Sequence, residues 1–321
     1  MKRIISTIDI GSEFKNSSID YRPLNQSKNL YFQLLQLLYE CSEYDVILLN
    51  VPSNVEMIFS FFAKTIYSHR LKIVVIDLIL RKPFDKKSLL ISKIKSFLVK
   101  SFDLILMYSQ DTSGYEKYYG ISKEKFYYVP FKPNNLAMVD KVTSIEGDYI
   151  VSLGTSHRDY MLLLDALASL KLKTKIVASS IGIEKNNANI KNTVLPFFVE
   201  HLSNKVSAEN WNTLIAQSKF VVIPIIKGTI QPAGVSVYLE AMAIGKAVVV
   251  TKGASTNGIL NESLAELVDE GDVSSMSIAI KKIWYNDDRR KQLERNGKAY
   301  AAGLEGHDRL MRDIRIILDN V

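Results

Sequence analysis

Residues 220–253 read FVVIPIIKGTIQPAGVSVYLEAMAIGKAVVVTKG. The opening run is continuously apolar and stops at Pro224, as expected of a strand buried on both faces of a parallel sheet. A loop through Lys227, Gly228 and Gln231 follows. Ala233 and Gly234 then open a helix that carries Glu240 and ends at Gly245, and the next strand starts directly after Lys246. Small residues at a helix start let a ligand approach the backbone, where free amides and the helix dipole favour phosphate. Glu240 stands two turns further along the same face, about 10 Å down the axis. A diphosphate at the amides would therefore bring its ribose towards a carboxylate that can accept from two hydroxyls. A structural role is the alternative, with Gly234 serving close packing and Glu240 capped or salt-bridged.

The same alternation runs through the rest of the chain. Strands are predicted at residues 3–9, 45–50, 72–77, 104–108 and 125–129, with helices at 30–41, 56–67 and 86–100 between them. Residues 131–147 hold Pro133, Asn134 and Asn135, lack periodicity and read as a linker. A second series has strands at 149–153, 175–179, 220–224 and 247–251, and helices at 159–170, 209–217, 234–244, 273–285, 287–302 and 308–318. The predicted fold class is α/β, with two doubly wound, Rossmann-like domains facing a central cleft. The boundaries are 1–140 for an N-terminal, acceptor-side domain and 141–304 for a C-terminal, nucleotide-binding domain. A terminal helix at 305–321 is expected to pack back on the first domain.

Composition narrows the function classes. At 321 residues two domains are the default. Hydrophobic residues make up 47% and charged residues 23%, as in an ordinary globular protein. No apolar run approaches the roughly 20 residues that a bilayer requires, and Asp9 and Glu13 interrupt any signal segment after Lys2 and Arg3. A cytoplasmic location is the expectation. Cys41 is the single cysteine and the four histidines are scattered, so no disulfide framework or all-protein metal site is predicted. The charge of +7 suits nucleic acid, an anionic membrane or phosphorylated ligands; no basic-aromatic motif supports nucleic acid.

The run Leu239, Glu240, Ala241, Met242, Ala243, Ile244, Gly245, Lys246, Ala247, Val248 resembles the nucleotide-sugar-binding region of glycosyltransferase family 4. These are retaining enzymes of the GT-B fold. Residues 267–301 are similar to the family's tail, residues 149–167 (YIVSLGTSHRDYMLLLDAL) to the opening of its second domain, and residues 102–133 more weakly to the end of its first. The resemblance implies transfer of a hexosyl group from a nucleoside-diphosphate sugar to a glycan, lipid-linked or other acceptor in polysaccharide or glycoconjugate synthesis. No cofactor is implied, the nucleotide sugar being a substrate. Glu240 matches the glutamate that binds the donor ribose, and Gly154 and Thr155 match the loop near the donor phosphates. Ala233, Gly234 and Val235 form the helix opening. Arg158, the only arginine nearby, is the candidate for neutralising the diphosphate; pairing with Asp159, or capping of the helix that Asp159 opens, competes. Lys227 is a second candidate cation or a solvated loop lysine. Phe197, taken to follow a short strand, is a candidate for cradling the base or a core aromatic.

Two departures stand out. Pro232 occupies the position eight before Glu240, where the family has a first glutamate, leaving neighbouring Gln231 as a neutral substitute on the donor sugar. The first domain lacks a glycine-rich loop and offers only Gly11 and Ser12 on the acceptor side. With no Asp-x-Asp in the chain, Arg158, Lys227 and the amides near Gly234 would stabilise the leaving diphosphate, making transfer metal-independent. Asp77, ending a strand, is the candidate contact for an acceptor hydroxyl, or simply caps its turn. Lys86, Lys93 and Lys100 recur every seven residues, with Leu90, Ile94, Phe97 and Leu98 assigned to another face. This suits either a helix at an anionic membrane or a solvated stripe on a core helix. Beside transfer, a non-catalytic GT-B subunit that binds a glycan or supports an active partner fits Pro232. A GT-B epimerase would need acid–base groups that the sequence does not display.

Overall fold

The computed structural model describes residues 3–7, 19–21, 35, 38–134, 136–139, 142–186, 188–190, 193–204 and 206–321. The chain divides into two compact units. One comprises Met1–Tyr108, Thr112–Val129 and Leu310–Val321; the other comprises Ser109–Asp111 and Pro130–Arg309.

The first unit contains β1 (Ile4–Ser6), β2 (Ile19–Tyr21), β3 (Val46–Asn50), α1 (Asn54–Ile66), β4 (Lys72–Ile76), α2 (Lys86–Leu98), β5 (Leu104–Met107), α3 (Ser113–Tyr119) and β6 (Phe126–Tyr128). Its strands are all parallel, in the order β2-β1-β3-β4-β5-β6. Leu48, Leu49, Val74, Val75, Ile105 and Leu106 are fully buried, which is why β3, β4 and β5 read as unbroken apolar runs. Helix α1 starts on a capping box: Ser53 accepts from the Glu56 amide and the Glu56 side chain accepts from the Ser53 amide. The predicted strand at 3–9 is realised as β1, and its last two residues lie outside the described residues. The predicted helix at 30–41 lies largely outside them too; residues 38–40 are helical and run into a 3₁₀ turn, Cys41–Glu43.

The second unit contains α4 (Leu136–Val139), β7 (Ile150–Leu153), α5 (Tyr160–Leu167), β8 (Thr174–Val177), α6 (Ser180–Asn186), β9 (Val199–Leu202), α7 (Ala208–Ala216), β10 (Phe220–Ile223), α8 (Val235–Ile244), β11 (Val248–Thr251), β12 (Glu266–Val268), α9 (Val273–Tyr285) and α10 (Asp287–Gly303). The sheet runs β12-β11-β10-β7-β8-β9, again all parallel. The last helix, α11 (His307–Asn320), belongs to the first unit from Leu310 onward. The short elements α3, α4, α6, β2, β9 and β12 are absent from the sequence reading, because three to seven residues carry too little periodicity to be recognised.

In this second sheet the chain starts in the middle, builds outward through β8 and β9, then returns to place β10 on the other side of β7. The reversal between β7 and β10 puts the loops that follow these two strands side by side. Buried cations brace the start of the sheet. Lys246 donates to the carbonyls of Ile145 and Ser218, and Arg290 pairs with Glu146 and Asp287.

Gly147, just ahead of β7, has no room for a side chain: a Cβ there would stand 1.7 Å from the carbonyl oxygen of Gln217. Gly147→Ala should therefore cost at least the roughly 1–3 kcal/mol of an overpacked core, read as a lowered midpoint in urea. Gly303→Ala, at the end of α10 with nothing near its Cβ, should leave the midpoint unchanged or raise it by up to ~1 kcal/mol.

Candidate functional site

The loop after β7 turns at Gly154, whose φ of +99° favours glycine. It is zipped to the loop after β10 by backbone bonds from the Ile226 amide to the His157 carbonyl (2.9 Å) and from the Asp159 amide to the Pro224 carbonyl (3.0 Å). Arg158 sits in that zipper, opposite Ile225. Its side chain is only 2% exposed. Nε donates to the Leu153 carbonyl at 3.0 Å and Nη1 to the Ser156 carbonyl at 2.8 Å. No carboxylate among the described residues pairs with it. Asp159 does not compensate it: its Oδ1 caps α5 at the Leu162 amide and accepts from Asn189. Burial pushes the Arg158 pKa down from the usual arginine value. Even so, arginine keeps its proton in proteins, so the site holds a desolvated positive charge bonded only to carbonyls.

Two glycines enclose this charge. A Cβ on Gly154 would stand 2.9 Å from Arg158 Nη2, and one on Gly234 would stand 3.7 Å from Nη1 and 3.0 Å from Ile223. Gly234 has φ +95° and opens α8 with no side chain capping the first turn, so the helix-start amides next to Arg158 lack a side-chain partner. Ala233 and Val235 are buried in the unit's core and offer a ligand their backbone only. Gln231 is buried too, and its Nε2 has no partner among the described residues. Glu240 is buried on α8, and its Oε2 accepts from the Trp211 indole at 3.0 Å.

Several partners were not foreseen from sequence. Trp211 orients Glu240 from α7. The hydroxyl of Tyr160 donates to the Gly154 carbonyl. Asn186 donates to Thr155 Oγ1 at 3.1 Å, fixing Thr155 against α6. Trp211 and Asn186 reach their targets across the fold rather than along the chain, so spacing carries no signal for them; the Tyr160 contact is local and spans six residues. Lys227 is exposed on the loop after β10 and lays its stem over Gly271. It is at the same end of the sheet as Arg158, with no contact between them.

Phe197 is the correction. Between α6 and Phe197 the described residues form no strand; β9 follows it, and Phe197 stands 91% exposed at that strand's amino end. In a parallel sheet every amino end lies at the edge opposite the carboxyl ends that carry Gly154 and Pro224. The structure thus separates Phe197 from the site.

On the first unit, Gly11 and Ser12 lie outside the described residues. Asp77 follows β4 with φ +53°, an uncommon conformation for a residue with a side chain. Burial pushes its carboxyl up to about 6. Among the described residues no group of three His, Cys, Asp or Glu side chains converges on a point that could hold a metal ion.

The Asp77 shift makes a pH prediction. Its native pKa lies above the unfolded value of 3.8, so the native state is favoured by protonation. This contribution is complete below about pH 4 and lost as pH rises through about 6. Two units correspond to roughly 3 kcal/mol. Asp77→Asn should raise the urea midpoint at pH 8 and change it little at pH 4. An equal effect at both pH values would remove the buried carboxyl as its cause.

Residues 148–300 match the family model of glycosyl transferases group 1, a span that contains Gly154, Arg158, Gly234 and Glu240. No protein of curated function matches the sequence. Among solved structures, HepE of Anabaena in complex with UDP and glucose is 15% identical, with all of both chains covered and a TM-score of 0.68. A glycosyltransferase of Rickettsia africae is 14% identical over 98% of this chain and 88% of its own, with a TM-score of 0.63. Sucrose-phosphate synthase of Thermosynechococcus elongatus is 14% identical over 94% and 82%, with a TM-score of 0.64. The chain thus has the α/β fold of GT-B glycosyltransferases, and its second unit carries the match to glycosyl transferases group 1.

Proposed function

We propose that this chain is a retaining glycosyltransferase of family 4 type. It would move a hexosyl group from a nucleoside-diphosphate sugar to a glycan or lipid-linked acceptor in polysaccharide or glycoconjugate assembly at the cytoplasmic face of a membrane. The observation that carries the proposal is Arg158: a buried guanidinium with no carboxylate among the described residues, set between two positive-φ glycines where the strand order reverses. Leaving such a charge uncompensated is costly, and a diphosphate supplies the missing negative charge. The uncapped first turn of α8 adds amides and a dipole of the right sign. Glu240, oriented by Trp211, takes the ribose hydroxyls, and the buried amide of Gln231 takes a hydroxyl of the donor sugar. The nucleotide sugar is the substrate, and no cofactor is proposed.

In transfer, the acceptor oxygen bonds to the anomeric carbon as the bond from that carbon to the diphosphate breaks. The electron pair leaves with the diphosphate, which also takes up the acceptor's proton. Arg158 and the Gly234 turn lower the barrier by holding the charge that grows on the leaving oxygen, with Lys227 as the second cation. No Asp-x-Asp exists to carry a metal in that role. On the first unit, Asp77 is the proposed contact for an acceptor hydroxyl. The fold likeness to Anabaena HepE, whose structures hold UDP and UDP-glucose, makes UDP the first nucleotide to test.

A thermal-shift series with UDP, GDP, dTDP and CMP should give a selective rise in melting temperature with one of them; none with any would remove the reading. Glu240→Gln should weaken that nucleotide by about 1.5–3 kcal/mol, the scale of a charge-assisted hydrogen bond. With an authentic donor, Arg158→Ala should lower turnover by about 10²–10³, and Arg158→Lys should restore only part, because a point charge does not reproduce a planar fork. Turnover should survive EDTA. The alternative, a non-catalytic GT-B subunit, is favoured by Pro232 in place of a first glutamate. Nucleotide binding with no turnover on any donor would select it.

A further inference from the structure

Helix α2 is built inside out. The side turned towards the unit carries Ser92, which is buried, with Ser88, Ser96 and Val99 on the same side. Leu90, Ile94 and Phe97, at helical spacing i, i+4, i+7, are exposed, Leu90 by 61%. The expectation that the lysines and these apolar residues occupy separate faces is corrected here: Lys86, Lys93 and Lys100 are exposed along one border of the apolar stripe, and Lys87 along the other. None of these four lysines pairs with a described acid.

The apolar surface continues onto α1. Phe97 meets Phe61 at 4.7 Å between ring centroids, and Phe61 meets Phe62 at 5.9 Å. Phe62 is exposed, as are Ile58 and Ile66 one turn to either side of it. Phe84, just before α2, is 87% exposed. Residues 81–100 contain seven basic residues against a single acid, Asp85, and Asp85 is occupied as the cap of α2. A patch of this kind on one body of a protein marks an interaction surface, and its chemistry defines the occupant: apolar side chains at the centre, lysines at the rim, and unbalanced positive charge.

We infer that α1 and α2 form a docking surface for a bilayer bearing anionic lipids, with Leu90, Ile94, Phe97 and Phe62 entering the headgroup boundary and the rim lysines meeting lipid phosphates. This uses side chains of the first unit alone and does not depend on the transferase reading. A membrane satisfies both halves of the pattern at once. The apolar stripe needs a hydrocarbon phase, and the lysines need a dense, laterally mobile array of negative charge. No helix among the described residues is long and apolar enough to cross a membrane, so the contact is peripheral.

The test is flotation of the full chain with vesicles of phosphatidylcholine alone, or with 30% phosphatidylglycerol, at 0.1 M and 0.5 M NaCl. Binding should require phosphatidylglycerol and fall at least fivefold at the higher salt, since the electrostatic part is screened. Leu90→Gln with Ile94→Gln, and separately Lys86→Glu with Lys93→Glu, should each lower the bound fraction at least tenfold. Their melting temperatures should stay at the wild-type value, because all four positions are exposed. A Leu90→Trp variant should shift its fluorescence to the blue on anionic vesicles only. Light scattering covers the competing occupant, a second copy of the chain. A wild-type dimer that the Leu90/Ile94 variant converts to monomer, with no vesicle binding by either, overturns the inference. So does equal binding to neutral and anionic vesicles, or binding that survives either double variant.

Discussion

The adjacency of β7 and β10 is the constraint from which the candidate site follows. Because the second sheet starts in its middle and grows first to one side and then to the other, these two strands are neighbours although some 70 residues separate them in the chain. Their trailing loops are then forced into contact and share backbone hydrogen bonds on both sides of Arg158. Nothing else brings Gly154 and Gly234 to the same guanidinium. Either glycine with a side chain would push against Arg158 or Ile223, so the close approach and the backbone conformation both demand glycine there.

Electrostatics gives that geometry its meaning. Elsewhere in the unit, buried cations have acids at hand: Arg290 pairs with Glu146 and Asp287, and Lys246, bonded to two carbonyls, feels the charges of Glu294 and Glu146. Arg158 has carbonyls but no counter-charge among the described residues. A protein interior tolerates an unmatched charge poorly, which is why Arg158 carries the proposal of a diphosphate ligand. Gln231 repeats the pattern in neutral form, with a buried donor that no described residue satisfies. Asp77 is the converse case, a carboxyl that burial holds close to half-protonation near pH 6, in a conformation that non-glycine residues seldom adopt.

Helix α2 shows how far a local pattern can mislead. Its sequence has the apolar content of an ordinary core helix, and periodicity alone would turn Leu90, Ile94 and Phe97 inward. The unit instead accepts the serine side, where small residues let the helix lie close and hydroxyls bond back to the preceding turn. The apolar side is left outward and joined through the Phe61–Phe97 contact to a second exposed stripe.

Much was determined by sequence alone. Strands buried on both faces must be apolar throughout, so β3, β4, β7, β10 and β11 are legible as runs. Helices α9 and α10 are legible as long helical stretches at 273–285 and 287–302, and the Gly234 opening of α8, with Glu240 along it, by local spacing. These are properties of neighbours along the chain. Only tertiary structure decided which loops meet, because strand order is not written in any local pattern. It decided that Arg158 faces two glycines rather than Asp159, that Trp211 holds Glu240, and that Phe197 lies at the wrong edge of the sheet. It also decided which side of α2 is outside. A hydrophobic period gives a helix two distinguishable faces, but only the surface it packs against chooses between them.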